Sequence, residues 1–339
     1  MSKKNSSVNL KNIFDKHKDL SNIFNNFKNK LDRLNKKSYT VAVSGGPDSL
    51  ALVGLTKVYA LQKKIKFHYV LVDHNIRKNS AKEAKQVQKL LKKNHTNLKI
   101  ILNKRKIISN TQSQARNSRY EILSKYCKKN KVTTLLTAHN LEDQVETFFI
   151  RLSRGSGLKG LSAMKISSII DNKINLFRPL LDVKKKFLIK ISNKIFGKYF
   201  NDPSNRDLKY LRTKVRKLKL PLKKSGIEYT QILKSINNLA SSRATLDEYL
   251  KKIFKDLIKK DNKDLLINYK KFKKHNKEVK IALINESIKR LKKNYYNPRA
   301  KKVLNLIKDI EKINFKKNTL GGCIFTLKKD NLCLKIENT

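Results

Sequence analysis

Cysteine and acidic residues are scarce in this chain of 339 residues, and long apolar runs are absent. The three cysteines, Cys127, Cys323 and Cys333, lie far apart and form no C-x-x-C pair, which argues against a disulfide scaffold, a zinc ribbon and a typical iron–sulfur site. No segment approaches the roughly 20 apolar residues that a membrane-spanning helix needs, and none resembles a secretory signal. We therefore expect a soluble protein of the reducing cytoplasm.

The scarcity of acidic residues leaves the chain strongly basic. It has 26 Asp and Glu against 80 Lys and Arg, a formal net charge of +54. This balance favours a polyanionic partner, because Lys and Arg contacts to phosphates release counterions. The alternative is an adenine- and thymine-rich genome that loads lysine onto any solvated surface. Arginine is more informative, since its planar fork suits phosphate and carboxylate, and much of it lies between Arg77 and Arg216.

Short apolar runs alternate with helical segments in the middle of the chain. Strands are predicted at 39–43, 67–73, 98–102 and 133–138, and helices are predicted to begin near Ser49, Ser80, Gln112 and Leu141. This alternation predicts an α/β fold with a doubly wound, mostly parallel sheet. Ligands of such sheets bind beyond the carboxyl ends of the strands.

The flanking segments differ from this pattern. Apolar residues at helical spacing predict an amphipathic helical extension over residues 1–37, followed by the sheet domain over 38–218. Pro221 and Gly226 mark a hinge near the start of a smaller, basic and mostly helical domain, residues 219–339. Two alternating strands around Lys329–Asn331 predict that this domain ends in a β-hairpin.

A glycine-rich loop follows the first predicted strand: Ser44, Gly45, Gly46, Pro47, Asp48 and Ser49. Glycines permit a tight turn, and the N-terminus of the next helix presents unpaired N–H groups, so the loop is predicted to bind phosphate. The loop has no Gly-Lys-Ser/Thr ending and is not a Walker A motif. Asp48 is a candidate Mg²⁺ ligand, with helix capping as the alternative.

Carboxylates are also concentrated after the fourth predicted strand. Glu142, Asp143 and Glu146 open the next helix, where acidic residues also complement the helix dipole. Because this helix begins at the same edge of the sheet as the loop, we predict an oxygen-ligand Mg²⁺ site with Asp48. Asp48 and Asp143 are its assigned ligands.

Several basic residues are candidates for binding anions. Arg116, Arg154, Arg212 and Arg216 are candidates for contacts with phosphate groups; a solvated basic surface is the alternative. His74 and His139 follow predicted strands, where His74 either meets a bound ligand or is a structural histidine. The glycines at 155–160 fit G-x-G-x-x-G, but a helix is predicted before them instead of a strand, which argues against dinucleotide binding.

The loop resembles the pyrophosphate (PP) loop of the N-type ATP pyrophosphatases, and the resemblance extends further along the chain. Segments 44–49, 72–84, 112–123, 135–164, 177–181 and 201–216 together resemble the tRNA(Ile)-lysidine synthase family. The family has H-H-x-D-D-Q where this chain has His139, Asn140, Leu141, Glu142, Asp143 and Gln144. Asp143 stands at the position of the family's catalytic aspartate, and the C-terminal part is short for the family.

The resemblance implies an adenine nucleotide alpha hydrolase-like fold and a ligase reaction. ATP adenylates C2 of the wobble cytidine in a CAU-anticodon tRNA(Ile), and L-lysine then displaces AMP to give lysidine. The implied catalytic residues are Asp48, Asp143 and Glu146, with either Asp143 or Glu146 accepting the proton of the lysine amine. The resemblance also implies contacts to ATP phosphates or the tRNA backbone for Arg116, to ATP for His74 and His139, and to tRNA for Arg154, Arg212 and Arg216. We also expect Mg²⁺ as a cofactor and a homodimer as the assembly. A tRNA thiolase, a small-molecule synthetase and a non-catalytic RNA-binding protein are the rival hypotheses.

Overall fold

The computed structural model describes residues 12–75, 79–105, 111–171, 173–200, 207, 209–292 and 298–337, without the side chains of 111–113. It divides into two compact units, residues 1–240 and 241–339. None of the helices within these ranges has both the length and the apolar character needed to cross a membrane.

A six-stranded sheet forms the centre of the first unit. Its strands are β1 (Ser38–Val43), β2 (Lys66–Asp73), β3 (Leu98–Leu102), β4 (Thr134–Leu136), β5 (Ser167–Ile170) and β6 (Ile174–Phe177). They lie in the order β3-β2-β1-β4-β6-β5, and all neighbours are parallel except β5, which runs antiparallel to β6. The predicted doubly wound, mostly parallel sheet is confirmed. The β5–β6 edge was missed by sequence analysis.

Helices cover both faces of this sheet. The helices of the first unit are α1 (Lys18–Leu34), α2 (Pro47–Gln62), α3 (Ser80–Lys93), α4 (Thr111–Lys129), α5 (Leu141–Leu152), α6 (Leu158–Leu161), α7 (Lys185–Phe196), α8 (Leu211–Lys217), α9 (Lys219–Lys224) and the first part of α10 (Tyr229–Leu257). Helices α1, α2, α3 and α7 share one apolar cluster with β1, whereas Leu123 and Cys127 of α4 belong to a second cluster with β4 and β6. The core therefore has a layer on each side of the sheet.

Helix α2 is the most deeply buried of these helices. Its residues from Ser49 to Thr56 are all buried, which explains why it lacks a polar face. Gly54 allows close packing with α7, because a Cβ atom there would collide with Ile195. This packing holds the start of α2 firmly behind the loop that follows β1.

The strand order places a topological switch point between β1 and β4. The chain runs outward through β2 and β3 on one side of β1, and then through β4 and β6 on the other. The connections after β1 and β4 therefore leave the sheet in opposite directions and open a crevice at its carboxyl edge. Both predicted polar segments, 44–49 and 139–146, emerge there.

The second unit is built on an antiparallel sheet. Its elements are β7 (Ile258–Asp261), β8 (Asp264–Asn268), α11 (Tyr269–Lys274), α12 (Lys277–Leu291), α13 (Ala300–Ile310), β9 (Lys317–Leu320), β10 (Cys323–Lys328) and β11 (Asn331–Ile336). The strand order is β7-β8-β11-β10-β9. The predicted hairpin is confirmed as β10–β11, with Lys328 paired to Asn331 and Lys329 at φ 48° in the turn. Sequence analysis did not find the other three strands.

The division between the two units falls inside α10, later than the predicted boundary after residue 218. The predicted functional domains, residues 1–37, 38–218 and 219–339, therefore stay predictions.

Candidate active site

The loop after β1 depends on glycine at position 45. Gly45 has φ +84°, and a Cβ atom there would lie 2.5 Å from Val87 Cγ2. Its carbonyl oxygen accepts a hydrogen bond from the Phe200 N–H at 3.0 Å. A side chain at position 45 would be strained by the backbone and obstructed by α3, so glycine is required.

Ser49 holds the loop in its folded shape. Its hydroxyl donates to the Gly46 carbonyl at 3.0 Å and lies 3.1 Å from both the Ser44 N–H and the Ser44 hydroxyl, which donate to it. Gly46 is the N-cap of α2 and Pro47 is its first residue, so the positive end of the helix dipole faces the loop. This is the arrangement that a phosphate group requires at a helix N-terminus.

Asp48 lies in the first turn of α2 and is mostly buried. The N-cap of α2 is Gly46 and no side chain caps it, so Asp48 does not act as the cap. Its Oδ2 atom is 3.8 Å from Lys185 Nζ, and its Oδ1 atom is buried without a hydrogen-bond partner among the described residues. Burial raises the pKa of Asp48 to about 6, with Lys185 opposing and Asp143 adding to the shift.

Asn140 and Asp143 form a capping box at the start of α5. The Asp143 N–H donates to Asn140 Oδ1 at 3.0 Å, and the Asn140 N–H donates to Asp143 Oδ2 at 3.1 Å. Asn140 is therefore a helix cap in this chain. The other oxygen of Asp143, Oδ1, is 3.8 Å from Arg212 Nη2.

Glu142 connects α5 to two other helices. Its Oε2 atom accepts from the Lys185 N–H at 2.8 Å, at the start of α7, and its Oε1 atom is 3.0 Å from Lys219 Nζ, at the start of α9. Both oxygens are thus occupied by groups of this chain. Glu142 positions α7, and with it the Lys185 side chain beside Asp48.

Glu146 is buried and paired with two arginines. Its side chain is 4% exposed, with Oε2 2.8 Å from Arg212 Nε and Oε1 2.6 Å from Arg216 Nε. Burial raises the pKa of Glu146, while the Arg216 hydrogen bond works in the opposite direction. The two arginines assigned to RNA from their spacing share one face of α8, and that face meets Glu146. Their assignment to RNA stays a prediction.

The expected cluster of four carboxylates is not formed, because Glu142 and Glu146 are satisfied by cations. Within the described ranges, no three His, Cys, Asp or Glu side chains are grouped to hold a metal ion. Asp48 and Asp143 are nevertheless close enough for the charge of Asp143 to raise the pKa of Asp48, and Asp48 Oδ1 has no partner. One or two carboxylates completed by phosphate oxygens suit Mg²⁺, so this pair fits the ion.

Both histidines of the candidate site are uncharged at neutral pH. Burial lowers the pKa of His139 to about 3, and its Nδ1 lies 3.0 Å from the Thr137 hydroxyl. Burial and the neighbouring Arg119 lower the pKa of His74 to about 4, and its Nε2 accepts from Arg119 Nε at 3.1 Å. Neither imidazole therefore competes with a guanidinium for an anion.

The remaining predicted residues lie at the surface. Arg116 is exposed, with its guanidinium 5.2 Å from the centre of the Tyr120 ring, and Arg154 is exposed beyond the end of α5. The glycines at 155–160 follow helix α5 and not a strand, as predicted. Residues 76–78, 201–206 and 208 of the predicted motifs lie outside the described residues.

Sequence analysis missed two cations of this site, Lys185 and Lys219, and gave no individual role to Arg178, one of the arginines between Arg77 and Arg216. The two lysines could not be distinguished among the many lysines of so basic a chain. Two signals pointed to Arg178: the concentration of arginine in the central stretch, and its place in the segment 177–181 that carries part of the family resemblance.

Asp48 is expected to destabilise the folded chain at neutral pH. Its pKa is raised from 3.8 to about 6, so the folded state binds the proton more tightly than the unfolded chain, and stability falls as the pH rises between these values. Asp48→Asn should therefore increase the free energy of unfolding by on the order of 1–3 kcal/mol at pH 7.5. The gain should shrink towards zero near pH 4. Urea unfolding in metal- and nucleotide-free buffer measures it; no gain at pH 7.5 would contradict the burial of the charge.

Comparison with known proteins identifies the family. The PP-loop domain family matches residues 16–222, more than half of the chain. The tRNA(Ile)-lysidine synthase of Wolbachia pipientis wMel is 34% identical over 304 residues, which cover 88% of this chain and 70% of that protein. The enzyme of the same name from Rickettsia typhi is 32% identical over 322 residues, covering 92% and 72%, and that of Orientia tsutsugamushi is 41% identical over 181 residues, covering 52% and 40%.

A solved structure supports the fold alone. The U34-tRNA thiolase NcsA from Methanococcus maripaludis superposes with a TM-score of 0.56 and 19% sequence identity, over 65% of this chain and 79% of that one. Taken with the loop at the switch point, the paired acidic groups across the crevice and the extended similarity to the relatives, these findings show that the chain belongs to the PP-loop family and, within it, to the tRNA(Ile)-lysidine synthases.

Proposed function

We propose that this chain ligates L-lysine to C2 of the wobble cytidine in tRNA(Ile) with a CAU anticodon, using ATP. The observation that carries the proposal is the PP-loop at the switch point with Asp48 and Asp143 beside each other across the crevice. The family consists of ligases that modify tRNA, and its PP-loop domain binds ATP. The lysine substrate, Mg²⁺ and the residue roles below are our proposals.

In the first step, the cytidine O2 atom attacks the α-phosphorus of ATP and pyrophosphate leaves. The N–H groups of the loop and the positive end of α2 are suited to hold the leaving pyrophosphate. Lys185, which lies beside Asp48, can add a positive charge to the same region. Asp48 and Asp143 would hold Mg²⁺, which when bound neutralises charge on the phosphates.

In the second step, the ε-amine of lysine attacks C2 of the adenylated cytidine and AMP leaves. The amine must first lose a proton, because its ordinary pKa is about 10.4. Both oxygens of Glu146 are held by Arg212 and Arg216, whereas Asp143 Oδ1 has only Arg212 at 3.8 Å. This difference supports Asp143 as the proton acceptor, with Glu146 positioning the two arginines.

The proposal is tested by transfer of radiolabelled lysine. Purified chain, ATP and Mg²⁺ should transfer the label to a CAU-anticodon tRNA(Ile) transcript, with one AMP formed for each lysine. The transcript with the wobble cytidine replaced by uridine is the matched control and should stay unlabelled. No transfer over a range of salt concentrations would contradict the proposed function.

The thiol chemistry of the chain disfavours the thiolase alternative. Cys127, Cys323 and Cys333 are buried and free. Burial raises the pKa of each thiol, so little reactive thiolate is present at neutral pH.

Homodimer formation stays a prediction, which sedimentation velocity tests.

The affinity for tRNA is expected to depend steeply on salt. If the chain neutralises six or more phosphates, the association constant should fall about 10³-fold or more between about 50 and about 200 mM salt. Filter binding over a salt series measures the slope of log K against log salt concentration. A shallow slope would instead assign the lysine excess to genome composition.

A further inference from the structure

Arg178 is a buried cation that the proposed roles leave unexplained. It directly follows β6 and is 7% exposed. One terminal nitrogen, Nη1, donates to the Lys165 carbonyl at 2.8 Å and to the Ser168 hydroxyl at 3.0 Å. The Nε atom is buried without a hydrogen-bond partner, and no carboxylate in the described part of the chain forms an ion pair with Arg178. Buried charges are normally paired, because desolvation of an unpaired charge costs several kcal/mol.

The position of Arg178 places it at the crevice. Strand β6 pairs in parallel with β4, so Arg178 leaves the sheet at the same edge as His139. Helix α4, which packs against β4 and β6, brings Arg116 and the Tyr120 hydroxyl to the same corner. Arg116 and Arg178 each lower the pKa of His139, which Asp143 opposes, and the charge of Arg116 also lowers the pKa of Arg178. Two guanidinium groups therefore act on the same corner, and of the acidic groups only the Tyr120 hydroxyl acts on Arg178.

We propose that Arg178, together with Arg116, forms a second anion subsite at this corner, separate from the PP-loop, for a carboxylate or phosphate of a substrate. The buried guanidinium has no counter-ion among the residues that the structure describes, and an anionic ligand would supply one. Which ligand does so rests on the proposed function: the α-carboxylate of lysine or the α-phosphate of ATP. The planar fork of arginine suits both groups.

The competing interpretation is that Arg178 has a structural role only: it would hold residues 165–168 through its two Nη1 hydrogen bonds and would contact the Tyr120 hydroxyl. Arg151 is a matched control, because its Nη1 atom donates to two nearby carbonyls, Gly160 at 2.7 Å and Ala163 at 2.8 Å. If hydrogen bonding to the chain were the whole role of Arg178, the two arginines should respond alike to substitution.

The experiment compares Arg178→Gln, Arg178→Lys and Arg151→Gln in the full chain. Calorimetry measures the affinities for ATP, for L-lysine and for cadaverine, which has the same amine but no carboxylate; thermal melting checks folding. We expect Arg178→Gln to weaken one anionic ligand about ten- to a hundredfold, with partial recovery in Arg178→Lys. Cadaverine binding and the Arg151→Gln affinities should stay within about twofold of the wild type.

The three affinities distinguish the two candidate anions, the lysine carboxylate and the ATP phosphate. A loss for L-lysine but not for cadaverine identifies the carboxylate, and a loss for ATP identifies the phosphate. The inference is overturned if the Arg178 variants have the wild-type affinity for ATP and their affinity for L-lysine is also unchanged. It is overturned in the same way if the variants bind ATP normally and the wild-type chain binds no L-lysine. It is also overturned if Arg151→Gln loses as much affinity. These binding readouts do not depend on lysine transfer to tRNA, so a failure of the proposed function would be seen separately.

Discussion

Asp143→Asn is expected to lower the rate of AMP formation by about 10²- to 10⁴-fold while tRNA affinity stays near that of the wild type. The asparagine keeps a side-chain oxygen that can accept from the Asn140 N–H, so the capping box and helix α5 should survive. What is lost is the negative charge, which we propose assists both the phosphate chemistry and the removal of the proton from lysine. Release of AMP and pyrophosphate measures the rate, and filter binding measures tRNA affinity.

A surface aspartate is the matched control for this variant. Asp182 is half exposed and pairs with Lys30 Nζ at 2.7 Å. Asp182→Asn should leave the rate and the melting temperature nearly unchanged, because exposed ion pairs contribute little. If Asp143→Asn lost tRNA affinity in proportion to its activity, Asp143 would have a structural role instead of a chemical one.

Glu146→Ala is expected to cost about 3–5 kcal/mol of unfolding free energy. The substitution removes the one carboxylate that both Arg212 and Arg216 contact at less than 3 Å. Arg212 then keeps only the more distant Asp143 Oδ1 at 3.8 Å as an ion-pair partner among the described residues, and both partly buried guanidinium groups lose their nearest counter-ion. Glu146→Gln keeps two polar atoms in place and should cost less. Urea unfolding of the full chain, followed by circular dichroism, measures the loss.

Glu121 provides the comparison, since it is also paired with two cations but at the surface. Its carboxylate is 2.7 Å from Arg105 Nη1 and 3.0 Å from Lys125 Nζ, with 39% of the side chain exposed. Glu121→Ala should change the unfolding free energy by less than about 1 kcal/mol. Similar values for the two variants would show that Glu146 is solvated in solution and that α8 is not held by it.

The helix spacing of acidic residues was only partly informative about the site. Asp143 and Glu146 are one turn apart on α5, and this local geometry follows from any helix. The different environments of the two carboxylates do not follow from the helix. Arg212 and Arg216 approach from α8, far along the chain, and satisfy Glu146 much more fully than Asp143. No local pattern could assign one carboxylate to chemistry and the other to packing.

The second unit shows the same limit for the fold. The β10–β11 hairpin was predictable, because its strands alternate and are joined by a tight turn. Strands β7 and β9 are four residues long, mostly polar and at the two edges of the sheet. Their pairing is decided by neighbours distant in the sequence, so their own residues carry almost no strand signal.

The sequence by itself determined the alternation of strands and helices, the glycine-rich turn after β1 and the presence of carboxylates beyond β4. These features depend on local preferences, such as the φ angle of Gly45 and the spacing of apolar residues. Only the tertiary structure decided which charges meet: Lys185 lies beside Asp48, Arg212 and Arg216 pair with Glu146, and no carboxylate in the described ranges pairs with Arg178. The physical reason is that burial and long-range pairing set the energy of a charge, and both arise only when distant segments pack together.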